Sequence, residues 1–272
     1  MNNTVLITGG AMGIGLATAK RFLKKGDTVI LWDINSTALE KAASELAPLG
    51  KIYSFSCDVT KKDEVYETAR KTLEAAGRVD ILVNNAGWVI GGDFLERSDE
   101  EWEKTIAINF TSLIYTTRAF LPGMYERNRG HVVNISSASS TLGVAGLAVY
   151  AGTKWAVHGF TESLRFEAYN AGKTGVKFST VHPSYIATGL FEGAELGFPA
   201  KYIAPLIKSH DVIAKAIVED AVGKGRYSPK RPITVHLNPR LRALLPDSWF
   251  QRLIILLGIH NSMKSWKGRN RN

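Results

Sequence analysis

The segment VYAGTKWAVHGF, residues 149–160, places a phenol and an amine four positions apart, at Tyr150 and Lys154. The surrounding pattern predicts a helix, on which residues four apart are neighbours. A free tyrosine has a pKa of about 10 and is a poor base near neutral pH, whereas a nearby ammonium favours the phenolate and lowers that pKa. The pair could therefore act as one proton-accepting unit, and Lys154 could also reach the ribose of a bound nucleotide.

Two further polar residues could complete this constellation. Ser137 stands thirteen residues before Tyr150, in the run NISSASS that follows a predicted strand, and its hydroxyl could polarise a carbonyl or hold an alcohol. Asn109 is a polar residue in an otherwise apolar helical stretch, where it could bind a water that links Lys154 to solvent. The alternative for Ser137 is an ordinary polar loop, and the alternative for Asn109 is a structural amide that bonds to local backbone.

A glycine-rich turn follows the first predicted strand. The stretch TVLITGGAMGIGLATAKRF, residues 4–22, reads as strand, turn and helix, with Gly9, Gly13 and Gly15 in the pattern G-x-x-x-G-x-G. Glycine lets the backbone turn tightly and approach a pyrophosphate, which binds at the positive end of the following helix. Glycine also occurs at such turns for purely steric reasons, so the turn alone leaves nucleotide binding open.

The kind of nucleotide depends on Asp33, which ends the second predicted strand. A carboxylate there can accept hydrogen bonds from an adenosine ribose diol and would repel a ribose phosphate. The loop GGAMGIG contains no Arg or Lys that would neutralise such a phosphate. Both features favour NAD over NADP, although Asp33 could instead be a turn residue before Asn35 and Ser36. Asp58, just past the third strand, and NNAG, residues 84–87, could line the same groove.

Short apolar runs alternate along the chain with longer stretches of helical period. Strands are predicted at residues 4–8, 28–33, 51–57, 81–84, 131–136, 177–182 and 233–236. Helices are predicted at residues 14–25, 37–47, 62–76, 100–126, 150–171 and 211–222. Because several strands are apolar along their whole length, they are expected to be buried on both faces of a parallel sheet. The alternation predicts an α/β fold with a doubly wound parallel sheet.

The order of the motifs resembles that of the short-chain dehydrogenase/reductase family. TGGAMGIG, WD, CDV, NNAG, Asn109, NISS, YAGTK and HPSYIAT follow one another within residues 3–222. The resemblance implies a Rossmann fold in which Tyr150 is the acid or base, and Lys154 lowers its pKa and binds the nicotinamide ribose. It also implies that Ser137 orients the substrate and that Asn109 completes a proton relay. Ser184 stands where the family often has glycine, a change expected to be tolerated.

The resemblance further implies which residues line the dinucleotide. Those of the first part of the chain are Gly9, Met12, Gly13, Ile14, Gly15, Asp33, Asp58, Val59, Asn85, Ala86 and Gly87. Those of the second part are Tyr150, Lys154, Pro183, Ile186 and Thr188, the last two at positions that hold the nicotinamide carboxamide. The cofactor is expected to be NAD, with NADP less favoured. No metal site is expected, because the six histidines show no ligand spacing.

The segment 189–210 has little strand or long-helix signal and follows the sixth predicted strand. Ligands of open α/β folds bind at that edge of the sheet, so we expect a lid over the substrate, the alternative being an irregular connection. Its many apolar and few charged side chains favour a lipophilic alcohol or ketone, unless they pack only on the core. The alternative functions are a sugar, polyol or 3-oxoacyl reductase and, in another class, a non-catalytic NAD-sensing or scaffold protein.

The basic character of the chain is concentrated in its C-terminal part. The net charge is +9, and residues 224–272 carry eleven Lys or Arg against one acid. We interpret residues 1–238 as the Rossmann-type dehydrogenase domain and residues 239–272 as a basic, apolar C-terminal extension. The extension could lie in a membrane interface, cap the substrate pocket or pack on another subunit. It is similar to the tails of membrane-associated retinol and hydroxysteroid dehydrogenases of the family.

Composition also bears on partners and compartment. A basic tail without a recognisable binding module gives little support to nucleic-acid binding, so no nucleic-acid partner is expected. The long apolar helices at 100–126 and 150–171 could pair with copies of themselves, and the resemblance implies a homo-oligomer. A single cysteine, Cys57, precludes an internal disulfide, and no signal peptide or membrane span is recognised. We therefore expect a cytoplasmic protein that could touch a membrane surface peripherally.

Overall fold

A parallel sheet forms the centre of the computed structural model, which describes residues 2–187, 189–191, 193, 197, 200–203, 205–264 and 266. Within these residues the sheet has seven strands in the order β3-β2-β1-β4-β5-β6-β7. The strands are β1 Thr4–Thr8, β2 Thr28–Asp33, β3 Ile52–Ser56, β4 Ile81–Asn84, β5 Gly130–Ile135, β6 Val176–Pro183 and β7 Lys230–Arg231. The predicted α/β fold with a doubly wound parallel sheet is confirmed.

Helices cover both faces of this sheet. They are α1 Gly13–Lys24, α2 Ser36–Leu46, α3 Lys62–Ala76, α4 Asp99–Ile106, α5 Ser112–Glu126, α6 Ala148–Asn170, α7 Ala200–Ile203, α8 His210–Lys215, α9 Leu237–Leu244 and α10 Asp247–Leu256. A π-helical turn, Ala107–Thr111, joins α4 to α5, and a second one, Ala216–Gly223, extends α8. Short 3₁₀ turns include Ala138–Ser140, Gly189–Phe191, Ile233–His236 and Ile259–Asn261.

The apolar strands bury both of their faces, as the sequence predicts. In β1, Val5 and Ile7 belong to a cluster that includes residues of α1, α2 and α8, whereas Leu6 belongs to a cluster with residues of α3, α5 and α6. Successive side chains of a strand point to opposite faces, so one apolar run supplies both cores. All three side chains are fully buried. The sheet is therefore a rigid platform whose carboxyl edge can hold a site.

The strand order reverses direction between β1 and β4, because β2 and β3 lie on one side of β1 and β4 to β7 lie on the other. Loops that leave two such neighbouring strands diverge, and the crevice between them is the usual binding place in open α/β sheets. Here the glycine turn follows β1 and the NNAG stretch follows β4. The topology thus brings together two motifs that are about seventy residues apart in the sequence.

The predicted last strand, residues 233–236, is wrong. These residues form a 3₁₀ turn, and the last strand is β7, which pairs with His182 and Pro183 of β6. The ladder runs through hydrogen bonds from His182 N to Pro229 O, 2.9 Å, and from Ser184 N to Arg231 O, 2.7 Å. Pro232, which follows, has no N–H to donate and so cannot continue a ladder as another residue would. The apolar run ITVH after it therefore enters a helical turn.

The single helix predicted at residues 100–126 is divided in the structure. α4 begins with a capping box at Ser98 and Glu101, and the helix widens to a π turn at Ala107–Thr111 before α5 continues. Such π turns within α-helices often lie at functional sites. Asn109 lies in this turn. The π turn thus falls at Asn109, the polar residue noted in the sequence of this predicted helix.

Candidate active site

Tyr150 and Lys154 lie one turn apart in α6, and both are buried. Lys154 Nζ is 5.6 Å from the centroid of the Tyr150 ring and donates a hydrogen bond to Ile135 O at 3.0 Å. Burial lowers the pKa of Lys154 to about 8. Burial also raises the pKa of Tyr150, while a hydrogen bond with the Ser137 hydroxyl acts in the opposite direction. The predicted pair is therefore brought together in a water-poor environment.

Ser137 is placed beside Tyr150 by the turn that leaves β5. Its hydroxyl accepts a hydrogen bond from Ser139 N at 3.1 Å and lies 3.2 Å from Ser139 Oγ. This side chain caps the 3₁₀ turn Ala138–Ser140. The serine run is thus an ordered turn that fixes one hydroxyl next to the buried phenol, and not an unstructured polar loop.

His182 holds this turn against the neighbouring strand. Its Nδ1 lies 2.9 Å from Ser140 Oγ and 3.2 Å from Ser137 O, and its Nε2 lies 2.9 Å from Ser228 Oγ. Burial lowers the pKa of this imidazole to about 3, so it is neutral at physiological pH. From the sequence, His182 before Pro183 is interpreted as a structural residue, which agrees with these contacts. These contacts tie β6 to the turn that carries Ser137. The position of His182 at the end of a predicted strand is the sequence feature from which this role could be inferred.

Asn109 lies in the π turn, and both polar atoms of its side-chain amide form hydrogen bonds with the loop after β4. Its Oδ1 accepts a hydrogen bond from Trp88 N, and its Nδ2 donates one to Trp88 O, each at 2.8 Å. This two-point contact agrees with the structural interpretation, although the backbone it meets is distant in sequence and not local. The role of Asn109 in a proton relay stays a prediction.

The turn after β1 has the features of an anion site. α1 begins at Gly13, no side chain caps its first turn, and no acidic residue lies in that turn. Gly9 has a φ of +61°, and a Cβ there would lie 2.9 Å from the Cα of Ala86. Asn85 Nδ2 holds the turn by donating to Thr8 O and Gly9 O. The free N–H groups and close backbone packing fit the pyrophosphate of a dinucleotide.

Asp33 lies at the end of β2 and faces the glycine turn. Its Oδ2 accepts a hydrogen bond from Ala11 N at 3.0 Å, and its Oδ1 accepts one from Asn35 N at 3.1 Å. Each carboxylate oxygen has a second lone pair, so a ribose diol could still be bound. Asp58 follows β3, where it accepts hydrogen bonds from the backbone and hydroxyl of Thr60. The two carboxylates thus lie at the ends of adjacent strands.

The remaining predicted cofactor residues lie at the same edge of the sheet. Met12, Ile14 and Gly15 belong to the turn and first residues of α1, Val59 follows β3, and Ala86 and Gly87 follow β4. Pro183 ends β6, and Ile186 forms a bridge with Ile207 just before α8. This bridge ties together the two ends of the predicted lid. Thr188 lies outside the described residues, as do several residues of the lid itself.

The C-terminal extension packs against the buried cluster that contains Tyr150. Phe250, Ile254 and Met263 share a buried cluster with Tyr150 and Leu147. The Trp266 indole donates a hydrogen bond to Leu190 O at 3.0 Å, and Ser262 shares one with the Tyr185 hydroxyl at 2.7 Å. Ala145 N donates to His260 O at 3.0 Å. These contacts pack the extension against the loops after β5 and β6, and contact of its outer face with a membrane or another subunit stays a prediction.

Phe191 brings the lid into direct contact with the reacting residues. Its ring packs edge-on against Tyr150, with centroids 5.7 Å apart, and against Tyr185 at 5.5 Å. The adjoining pocket is mostly apolar. It is lined by Ser137, Ala138, Ser139, Leu142, Val144, Ser184, Tyr185, Phe191, Thr234, Val235, Asn238 and Ile259. The Ser137 hydroxyl therefore belongs to a residue that lines a mostly apolar cavity.

Two negative findings apply to the residues that the structure describes. No helix among them is both long and apolar enough to cross a membrane. Nor does any group of three His, Cys, Asp or Glu side chains in this part of the chain lie where it could hold a metal ion.

Comparison with known proteins relates this geometry to a family. Residues 3–196 match the family model described as short chain dehydrogenase. The chain is 34% identical to human epidermal retinol dehydrogenase 2 over 261 residues, which cover 95% of this chain and 83% of that protein. It is 38% identical to rat estradiol 17-beta-dehydrogenase 11 over 210 residues, covering 77% of this chain and 69% of that protein.

Solved structures resemble the fold over most of its length. A short chain dehydrogenase/reductase from Burkholderia phymatum in complex with NAD superposes with a TM-score of 0.80 at 25% identity. The match covers 92% of this chain and 95% of that one. Other solved relatives are complexes with NADP. The site described above therefore lies on a scaffold that binds either dinucleotide in its relatives.

Proposed function

Because this chain belongs to the short chain dehydrogenase family, we propose that it transfers a hydride between NAD and a lipophilic secondary alcohol or ketone of steroid, retinoid or fatty-alcohol type. The observation that supports this substrate class is the pocket beside Tyr150 and Ser137. Its other walls are mostly apolar, with Leu142, Val144 and Phe191 among them. Two curated relatives are named as retinol and estradiol dehydrogenases, which agrees with such a pocket.

The chain's own residues would manage the proton and the orientation of the substrate. Bound nicotinamide would accept or supply the hydride. The Tyr150 oxygen would take the proton of the carbinol during oxidation and return it during reduction. The Ser137 hydroxyl would donate a hydrogen bond to the substrate oxygen, and the Lys154 ammonium would favour the phenolate. Burial of all three side chains strengthens each of these interactions, because little water competes for them.

We propose NAD as the preferred cofactor. Asp33 places a carboxylate beside the glycine turn, where it would bind the adenosine ribose and repel a phosphate on it. The turn GGAMGIG offers no cation to offset that repulsion. Since solved relatives bind NAD or NADP, this preference rests on Asp33 and not on membership of the family.

We also propose that the protein is cytoplasmic and touches a membrane surface peripherally through α9 and α10. α10 buries Phe250 and Ile254 in the cluster with Tyr150, while Leu244 of α9 and Leu256 of α10 are 79% and 78% exposed. Arg240 and Arg252 are exposed on the same helices. An apolar surface with cations around it suits a bilayer that contains anionic lipids.

We further propose that the protein forms a homo-oligomer. Phe166 and Tyr169, near the C-terminal end of α6, are largely exposed, and Ile106 is exposed at the end of α4. Pairing these helices with a second copy would remove apolar surface from water. Phe166 and Tyr169 lie at the opposite end of α6 from Tyr150, so such an interface would contribute no residue of a second copy to the site.

The experiment that tests the function follows NADH or NADPH formation spectrophotometrically with a panel of steroids, retinol, medium-chain alcohols and polyols. We expect a signal with NAD and the apolar alcohols. The matched variant is Tyr150→Phe, which removes only the phenolic oxygen and should abolish turnover while NAD binding stays nearly intact. A signal with polyols alone would favour the sugar or polyol alternative, and unchanged turnover by the variant would contradict the role given to Tyr150.

A further inference from the structure

A chain of short polar contacts runs from Lys230 of β7 to the turn that carries Ser137. Lys230 Nζ donates to Ser228 Oγ at 2.7 Å, and Ser228 Oγ lies 2.9 Å from His182 Nε2. On the other side of the imidazole, His182 Nδ1 lies 2.9 Å from Ser140 Oγ and 3.2 Å from Ser137 O. Ser140 Oγ in turn donates to Ser137 O at 2.7 Å. The chain thus joins β7, β6 and the turn after β5.

The two ends of this chain of contacts fix its direction. An ammonium can only donate, and a backbone carbonyl can only accept. Because Ser137 O cannot donate, its contact with His182 Nδ1 is a hydrogen bond only when the proton of the neutral ring is on Nδ1. His182 Nε2 then has a lone pair and accepts from the Ser228 hydroxyl, whose oxygen accepts from Lys230. Every hydrogen bond therefore points from Lys230 toward Ser137 O.

This arrangement requires a neutral imidazole, and the surroundings of the ring keep it neutral. A protonated ring would have no lone pair to accept the Ser228 hydroxyl. Burial lowers the pKa of His182 to about 3, and the positive charge of Lys230 acts in the same direction. Thr180 Oγ1 also lies 3.0 Å from Nε2, so a second hydroxyl can donate to the same lone pair. The proton is thereby directed to Nδ1.

The turn at the end of this chain of contacts holds the hydroxyl that the proposed function uses. Ser137 Oγ accepts from Ser139 N at 3.1 Å, and Ser137 O accepts from Ser140 N at 3.0 Å. The same Ser137 hydroxyl forms a hydrogen bond with Tyr150 that opposes the rise in the pKa of this phenol. Since the carbonyl and the hydroxyl belong to one residue, a shift of the carbonyl would move the hydroxyl relative to Tyr150.

We infer that His182 is a positioning residue for Ser137. The inference rests on the proposed function and concerns the placement of the hydroxyl that would hold the substrate oxygen. Through Nδ1 the ring holds the Ser140 hydroxyl and the Ser137 carbonyl, and through Nε2 the Ser228 hydroxyl keeps the proton on Nδ1. Misplacing a reacting group by about 1 Å can cost about a hundredfold in rate. His182 therefore affects turnover without touching the substrate.

The first test concerns the tautomer of the ring and needs no substrate. Nitrogen-15 NMR of the full chain, labelled at histidine, distinguishes the protonated nitrogen of a neutral imidazole from the bare one by chemical shift. The signals of His182 are identified by their loss in His182→Gln. We expect a neutral ring with its proton on Nδ1 at neutral pH. A proton on Nε2, or a charged ring, would overturn the inference whatever the activity of the protein.

The second test compares two amides at position 182 with saturating NAD and an apolar secondary alcohol. His182→Asn puts an amide N–H near the place of Nδ1, whereas His182→Gln puts its amide near the place of Nε2. We expect kcat to fall about tenfold in His182→Gln, which loses the hydrogen bonds to the turn, and only about twofold in His182→Asn. In a Ser137→Ala background, His182→Gln should lower kcat no further, because no hydroxyl is left to misplace.

His131→Gln is the matched control, because His131 is also a buried imidazole but contacts Ser179 at the start of β5, away from the carboxyl edge of the sheet. It should lower the unfolding temperature and leave kcat near that of the wild type. If His182→Gln does not fold, Ser140→Ala takes its place, and kcat should fall in the same way.

The outcomes separate this inference from the function on which it rests. Equal losses of kcat in His182→Asn and His182→Gln would overturn the inference while the dehydrogenase function stands. The same further loss in the Ser137→Ala background would also overturn it, because His182 would then act on the fold in general and not through the Ser137 hydroxyl. No turnover of any apolar alcohol by the wild type would overturn the proposed function, and the positioning role with it.

Discussion

Replacement of Lys154 by Met should move the pH dependence of alcohol oxidation to higher pH. The oxidation needs the Tyr150 phenolate, and burial raises the pKa of this phenol. The Lys154 ammonium opposes that effect as long as it carries its charge, which it does below its pKa of about 8. Without the charge the phenolate is less stable, so a smaller fraction of the enzyme is in the reactive form at any neutral pH.

The size of the effect follows from the separation of the two groups. Lys154 Nζ is 5.6 Å from the Tyr150 ring centroid. At an effective dielectric constant of about 20, a unit charge at that distance stabilises the phenolate by about 3 kcal/mol. Since a tenfold change in an ionisation equilibrium corresponds to about 1.4 kcal/mol, the rising part of the profile should move by about two pH units. Oxidation at neutral pH should fall about a hundredfold.

The measurement is kcat/KM for an apolar alcohol at saturating NAD, followed by NADH absorbance across the pH range in which the variant stays folded. Saturation with NAD separates the effect on Tyr150 from any loss of cofactor binding, because Lys154 is also expected to contact the ribose. Lys154→Arg is the matched control, since it keeps a positive charge at nearly the same place. It should lose much less activity at neutral pH and keep its profile near that of the wild type.

The two pH profiles should also differ in shape. Wild-type Lys154 loses its charge above its pKa of about 8, so the difference between wild type and Lys154→Met should shrink at high pH. A variant that is slower by the same factor at every pH would refute the electrostatic role. Such a result would leave Lys154 as a residue that only positions the cofactor or packs under Tyr150.

Two remaining predictions concern the cofactor and the membrane surface. Asp33→Ala should lower kcat/KM for NAD about tenfold and leave that for NADP equal or higher. An unchanged preference in a cofactor titration would remove the role of Asp33. Leu244→Ser combined with Leu256→Ser should weaken binding to vesicles with anionic lipid about tenfold in a sedimentation assay. Leu95→Ser, at a 92% exposed leucine of the 3₁₀ turn Phe94–Glu96, is the control and should bind as the wild type does.

Much of the scaffold could be predicted because its strands follow simple rules. The apolar runs of β1, β2 and β4 have the predicted bounds, and the helices between them begin and end within one residue of the prediction up to residue 76. Parallel strands covered on both faces must be apolar throughout, so composition alone marks them. The structure also places the four predicted catalytic residues, Asn109, Ser137, Tyr150 and Lys154, on or beside these elements, and their catalytic roles stay predictions.

The features that were missed depend on contacts between distant parts of the chain. The pattern ITVH has the composition of a strand, but Pro232 before it and the short ladder at β7 turn it into a 3₁₀ turn. The partner of Asn109 is Trp88, twenty-one residues away. The position of the extension depends on Trp266, Ser262 and His260 meeting loops after β5 and β6. The local periodicity of the sequence does not reveal such contacts, because the partner residue of each lies in a different helix, strand or loop.

The predicted catalytic and cofactor residues and part of the pocket wall come from different parts of the sequence. This separation explains how one scaffold can serve different substrates. The glycine turn, Asp33, Tyr150 and Lys154 all lie within residues 3–196, the part that matches the family model. Thr234, Asn238 and the packing residues of α10 lie beyond it. The first two line the pocket, and Phe250 and Ile254 of α10 share a buried cluster with Tyr150. Of the twelve residues that line the pocket, eight lie within residues 3–196 and four lie beyond, namely Thr234, Val235, Asn238 and Ile259. Under the proposed function, both parts of the chain would therefore shape the substrate. A change in the extension could alter the substrate without disturbing Tyr150, provided that the buried contacts of Phe250 and Ile254 are kept.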